Sequence, residues 1–161
     1  AVGEVGPETI TRVAQLVGKS NQFNLTTRRH SQAQLEQMAV DDAWDLRWMR
    51  VRDRYGDSGL IGVTIVQYDE QLATIDTFLM SCRVMNRSVE QAMLRDIIER
   101  ATARGCRTVR GEYLATDRNA VVTDFYAKNG FSAQSGAALF EVSLDDLEGL
   151  PGWPDVIGRE S

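Results

Sequence analysis

Positive charge, cysteine, histidine and long apolar runs are the scarce features of this 161-residue chain, and each scarcity removes a class of function. Lys and Arg number 18 against 23 Asp and Glu, a formal net charge of -5, so the chain as a whole repels nucleic acid and anionic lipid. Arg28, Arg29 and His30 are the nearest approach to a basic patch, and so short a run reads as solvated arginines beside a turn. No apolar stretch approaches the roughly 20 residues of a membrane helix. The N-terminus AVGEVGPETI has neither the basic stretch nor the apolar core of a signal peptide, so a cytoplasmic chain with reduced thiols is expected. The two cysteines, Cys82 and Cys106, are too few for a disulfide framework and lack the paired spacing of a zinc site, so no metal is expected. What is present, 43% hydrophobic and 25% charged residues, suits one globular domain with one core.

Periodicity orders the elements. Ile10, Val13, Ala14 and Val17 share one helical face, and Gly18 follows as a stop. Ser31 and Gln34 form a capping-box pattern ahead of Leu35 and Met38, which opens a second helix. Residues 44–51 alternate as a strand does, DRYGDSG supplies a turn, and LIGVTIV and LATIDTFLM continue an antiparallel meander. Val89, Ala92, Met93, Ile97 and Ala101 form the apolar stripe of the clearest helix, with Gly105 just past its end. Residues 108–114 read as a strand, 119–128 as a helix ending at Gly130, and 138–143 as a last strand. A meander followed by βαβ-like crossings makes a mixed α/β (α+β) sheet with helices on its faces. The domain is expected to span 1–143. Residues 144–161, rich in acids, glycines and two prolines, are expected to form a loosely packed extension on which Trp153 could dock.

Chemistry concentrates where the third strand of the meander runs into the long helix, in CRVMNRSVEQAML. Unpaired backbone N–H groups and the helix dipole make such a junction a phosphate site, with Arg83, Val84, Asn86, Arg87, Ser88 and Val89 as its lining; a capped helix without ligand is the alternative. Cys82 at this junction is placed to carry an acyl group as a thioester, or to be a small buried hydrophobe. Asp76 and Glu112 put charge in mid-sheet. Each is either a general base with a raised pKa or the partner of an arginine such as Arg83 or Arg110. In NQFNLTTRR, Asn21, Asn24, Thr26 and Arg28 could bind substrate from a loop between the first two helices, or only order that loop.

Two motifs resemble the GNAT acyltransferases. The spacing of Arg83, Asn86 and Ser88 matches R/Q-x-x-G-x-G/A without its glycines, and RNAVVTDFYAKNGF matches N-x-x-A/V-x-x-x-Y-x-x-x-G-F. The resemblance implies a mixed, mostly antiparallel sheet flanked by helices, with an acyl-CoA or phosphopantetheine thioester as cofactor. It also implies that Asn119 lies beside the pantetheine arm and that Tyr126 is the acid that protonates the departing thiolate; packing beside Phe125 and Phe131 is the alternative. NQFNLTTRR, RDRYGDSGLIGV, IDTFLMSCRV and GEYLATDRN narrow the resemblance to the GNAT-like domain of FkbH-like proteins. Those proteins join it to a haloacid-dehalogenase-type domain and are associated with placing a glyceryl unit on an acyl carrier protein in polyketide biosynthesis. The nucleophile motif of the dehalogenase-type half has no counterpart here. An acyl carrier protein and that partner domain are the implied partners, with an acyltransferase or a non-catalytic docking module as the implied role.

Overall fold

The computed structural model describes residues 1–19, 22–54, 56–135, 138–147 and 159–160. Its elements are β1 (Val2–Glu4), α1 (Ile10–Lys19), β2 (Phe23–Asn24), α2 (Gln32–Ala39), β3 (Trp44–Asp53), β4 (Gly56–Asp69), β5 (Leu72–Met80), α3 (Val89–Ala103), β6 (Thr108–Glu112), α4 (Phe125–Lys128), β7 (Ser132–Ala133), β8 (Leu139–Ser143) and β9 (Arg159–Glu160). The described strands join in one sheet of order β7-β8-β6-β5-β4-β3-β1-β9, with β2 added on β5. The meander β3-β4-β5 is antiparallel, and α3 carries the chain across to β6, which runs parallel to β5.

Each face of the sheet holds its own core. Met93, Leu94, Ile97, Ile98 and Ala101 of α3 press on Ala73, Ile75, Phe78 and Met80 of β5. On the other face Ile10, Val13 and Val17 of α1 and Leu35 of α2 cover Val63, Ile65 and Leu79. Each such Val, Leu, Ile, Met or Phe side chain contributes about 2 kcal/mol through burial. The capping box of α2 is formed as the sequence reads: Ser31 Oγ accepts from the Gln34 N–H and Gln34 Oε1 accepts from the Ser31 N–H.

The differences from the expected elements have local causes. β1 carries no periodic signal because it is three residues long and centred on Gly3, above which the Trp48 ring lies so close that a Cβ would meet its Cζ2 at 2.2 Å. The expected helix over 119–128 is broken into a 3-10 turn at Ala120–Val122 and the single turn of α4. Asn129 Nδ2 donates to the Phe125 carbonyl, and Gly130 turns away at a φ of 86°, so α4 cannot extend. Of the C-terminal residues 144–161, Trp153 lies outside the described residues. The backbone of Arg159–Glu160 pairs in parallel with β1.

Candidate functional site

β5 and β6 stay paired only from Leu72 to Ile75, opposite Thr108 to Gly111, and then separate. A bulge starts the separation. Ile75 pairs with Val66 and Thr77 with Ile65, leaving Asp76 as the extra residue on β5. The bulge reverses the facing of the strand, so that Ala73 and Ile75 before it and Phe78 and Met80 after it share one core.

The chain itself fills the opening. Residues 23–28, a strap between α1 and α2, lie along the freed edge of β5. Phe23 pairs with Met80, Asn24 with Leu79, and the Leu25 N–H donates to the Phe78 carbonyl at 3.1 Å. On the far side the Leu114 N–H donates to the Leu25 carbonyl at 2.8 Å, so the strap bridges β5 and the chain leaving β6. Asn119, 0% exposed, locks it: Nδ2 donates to the Asn24 and Leu114 carbonyls, both at 2.9 Å, while Oδ1 accepts from the Thr116 N–H at 2.8 Å. Asn119 thus stands at the opening, with its amide committed to the strap and to residues 114–116.

The strap ends in a cluster of acids and bases. Thr26 Oγ1 and Arg28 Nη1 donate to the Asp76 carbonyl, Arg28 Nη2 pairs with Glu112 Oε2, and Nη1 lies 3.5 Å from Asp76 Oδ1. His30 Nε2 meets Asp76 Oδ2 at 2.7 Å, and Thr77 Oγ1 donates to the same oxygen at 2.8 Å. Both mid-sheet acids are therefore paired, and their cation is Arg28. Arg110 instead pairs with Glu141, and Arg83 is exposed at the helix start. His30, read from the sequence only as the turn before α2, belongs to this cluster. Its single signal was being the chain's one histidine, because 46 residues separate it from Asp76. Asn24 and Thr26 serve the strap, and Asn21 lies outside the described residues.

At the start of α3, Asn86 and Ser88 both adopt a φ of 60°, the left-handed backbone that the glycines of the motif would adopt without strain. Ser88 stands at the N-cap position and makes no capping bond, because its backbone is left-handed rather than extended. Arg83, Asn86, Arg87 and Ser88 are exposed, Val84 is buried and Val89 is half-buried. Glu90, in the first turn, is buried with Oε2 unpartnered, so an acidic side chain already stands within the first turn of the helix.

Tyr126 is 1% exposed. Its ring sits against Gly111 and among Phe125, Phe131 and Phe140, with centroids 5.1–5.5 Å away, and its hydroxyl makes no well-formed hydrogen bond, with the Glu112 backbone N–H as a nearby donor. Burial, reinforced by the Glu112 carboxylate and only partly offset by the Glu112 backbone N–H, holds the phenol far above its ordinary pKa. The fold therefore retains the neutral phenol, and the stability this gives is complete below about pH 10 and is lost as pH rises above the unfolded-state value. Tyr126→Phe removes a buried hydroxyl without a well-formed hydrogen bond, so stability at pH 7 is expected to hold or to rise by about 1 kcal/mol, with a shallower loss above pH 10. A fall of more than about 1 kcal/mol in urea unfolding at pH 7 would show that the hydroxyl has a structural partner.

Outside the strap lies an open cleft of about 680 Å³, lined by Leu16 and Lys19 of α1, Phe23, Met80, Cys82 and Arg118 among others. Cys82 is exposed in it, whereas Cys106 is buried and burial pushes its thiol pKa up. Fitted to a pantetheine arm, the two places differ. The β5 edge offers no room while the strap is paired to it, whereas the cleft is lined by the Cys82 thiol, the cationic Lys19 and Arg118 and the acidic Asp117. Among the described residues no group of His, Cys, Asp and Glu could hold a metal ion, and no helix is long and apolar enough to cross a membrane.

No protein-family model and no curated protein matches the chain. Solved structures do. PaiA N-acetyltransferase from Thermoplasma acidophilum, in complex with coenzyme A, has a TM-score of 0.68 at 14% identity, covering 89% of this chain and 98% of that one. An acetyltransferase of the GNAT family from Staphylococcus aureus Mu50 has 0.67 at 9% identity, with the same coverage of 89% and 98%. Rv2747 from Mycobacterium tuberculosis, in complex with CoA and NLQ, has 0.65 at 15% identity, covering 85% and 74%. The bulge in β5, the divergence of β5 from β6 and the helix that follows thus belong to a chain with the GNAT acyltransferase fold.

Proposed function

We propose that this chain handles an acyl group on a pantetheine thioester, of CoA or of an acyl carrier protein, and that the exchange takes place at Cys82. One observation carries the reading: Cys82 is exposed in the cleft at the end of β5, while the edge of β5 beside it is already paired with the strap and Tyr126 is buried. The Cys82 thiolate attacks the thioester carbonyl carbon, the C–S bond to pantetheine breaks, and the pantetheine leaves as a thiol with the proton Cys82 gave up. The acyl group then sits on Cys82 as a thioester until an acceptor hydroxyl or thiol takes it and Cys82 regains a proton. Similarity to FkbH-like proteins supports a glyceryl unit as the acyl group, polyketide assembly as the setting and a dehalogenase-type domain as the neighbour.

The test is intact-mass analysis after incubation with acyl-CoA and with an acylated carrier protein. The native chain is expected to gain one acyl group that hydroxylamine removes, and Cys82→Ala to gain none. An adduct that survives Cys82→Ala, or no adduct from either donor, would sink the reading. The helix start favours a second reading. Two left-handed non-glycine residues and the buried Glu90 weaken phosphate binding there, as in a domain that only docks a carrier protein or a partner domain. Carrier-protein binding without acylation would select it.

A further inference from the structure

We infer that the strap occupies the opening between β5 and β6 permanently, as a core strand and not a lid, so that a pantetheine arm, of CoA or of a carrier protein, is not held in the sheet. The inference goes beyond the acyl-transfer reading and does not rest on Cys82. It starts from what a bare strand edge would take. β5 leaves β6 after Ile75, and the backbone groups of β5 beyond that point need partners. An extended, amide-bearing ligand satisfies such an edge by adding itself as a strand, and a pantetheine arm has that form. Here the chain supplies the strand: Phe23 pairs with Met80, Asn24 with Leu79, and the Leu25 N–H donates to the Phe78 carbonyl at 3.1 Å.

The strap is also fastened away from the β5 edge. The Phe23 ring packs against Phe78 and Phe125, with centroids 5.9 and 5.4 Å away. The Asn24 carbonyl accepts from Asn119 Nδ2 at 2.9 Å, and Asn24 Oδ1 accepts from the Thr27 N–H at 2.9 Å. Leu25, wholly buried, accepts at its carbonyl from the Leu114 N–H at 2.8 Å. Thr26 Oγ1 donates to the Asp76 carbonyl at 2.9 Å, and Arg28 pairs with both Asp76 and Glu112. Lifting the strap would expose Phe23 and Leu25, unpair both sides of the opening and take Arg28 from two mid-sheet acids. Segments that open by themselves have few buried apolar contacts and exposed backbone hydrogen bonds, and the strap has neither trait. A thioester donor therefore meets this chain from outside the sheet, and its arm adds no strand to β5.

Native-state hydrogen exchange of the intact chain tests this, with the Leu25 and Leu114 amides compared against the most protected amides of β6. Without ligand, their protection is expected to lie within about tenfold of those β6 amides and to fall with them as urea is added, because they open only with the core. Protection lower than that, with little response to urea, would show a strap that opens locally and would overturn the inference. A second arm adds acetyl-CoA and, separately, phosphopantetheine at millimolar concentration. Leu25 and Leu114 are expected to keep their ratio to β6, and a rise in melting temperature with that ratio kept puts the donor outside the sheet, as inferred. Selective loss of protection at Leu25 and Leu114 would mean that the arm displaces the strap, and the inference would fail. Cys82 enters neither arm, so a failed acylation test leaves this result standing, and a displaced strap leaves the acylation test to be decided by its own mass measurement.

Discussion

Asn119→Ala is expected to lower stability by about 3–5 kcal/mol, and to do so whether or not any acyl donor is present. The side chain is wholly buried, and its removal leaves the Asn24 and Leu114 carbonyls and the Thr116 N–H without the partner they now have. A buried polar group left unpaired costs about 1–3 kcal/mol, and partial hydration of the vacated space offsets some of the sum. For a domain of this size the loss corresponds to a melting temperature lower by roughly 10 °C or more. Hydrogen exchange supplies the second readout, because the amides of Leu25 and Leu114 lie on the two sides of the strap and should lose protection together. The resemblance to GNAT enzymes assigns this asparagine to the cofactor, and the same variant separates the two roles. Unchanged stability with weakened CoA binding would give Asn119 to the ligand, and lost stability with freed amides gives it to the strap.

Gly111→Ala is expected to be as damaging for a steric reason. A Cβ at Gly111 would lie 2.2 Å from Cζ and 2.3 Å from Cε1 of Tyr126, well inside any possible contact. Neither side can yield cheaply. Gly111 is paired on one edge with Ile75 and on the other with Phe140, and the Tyr126 ring is boxed in by Phe125, Phe131 and Phe140. Overpacking of this kind costs about 3 kcal/mol or more. A double-mutant cycle in urea unfolding checks the cause: adding Tyr126→Ala to Gly111→Ala should cost less than the sum of the single changes, by at least about 1 kcal/mol. Additive losses would mean that the damage comes from the β6 backbone and not from the ring.

Both variants act on motif residues that the sequence displays plainly. Asn119 and Tyr126 are visible because they stand at a spacing shared with GNAT enzymes, and that spacing is a property of the local turn and helix. Whether they touch a ligand is not local. The Tyr126 hydroxyl is sealed by β6 and by aromatic neighbours up to 14 residues away in the chain, and the amide of Asn119 is taken by a carbonyl 95 residues away.

The amino-acid sequence by itself determined the elements with strong local signals: the capping box of α2, the apolar stripe of α3, the meander from Trp44 to Met80, and the strand-to-helix junction at Cys82. These follow from periodicity and capping, which depend on neighbours within a few residues. It also determined that Asp76 and Glu112 need an explanation, since a charge in mid-sheet is costly wherever the chain goes. Only the tertiary structure decided that their partner is Arg28, 48 and 84 residues away, and that His30 joins them. Only it could reveal the strap. NQFNLTTRR reads as a polar loop because just two apolar residues, Phe23 and Leu25, alternate in it. It becomes an internal strand only because β5 bulges at Asp76 and exposes an edge whose carbonyls need donors. That edge is made more than 50 residues later, so no local pattern could disclose that the chain fills its own opening and leaves Cys82 outside it.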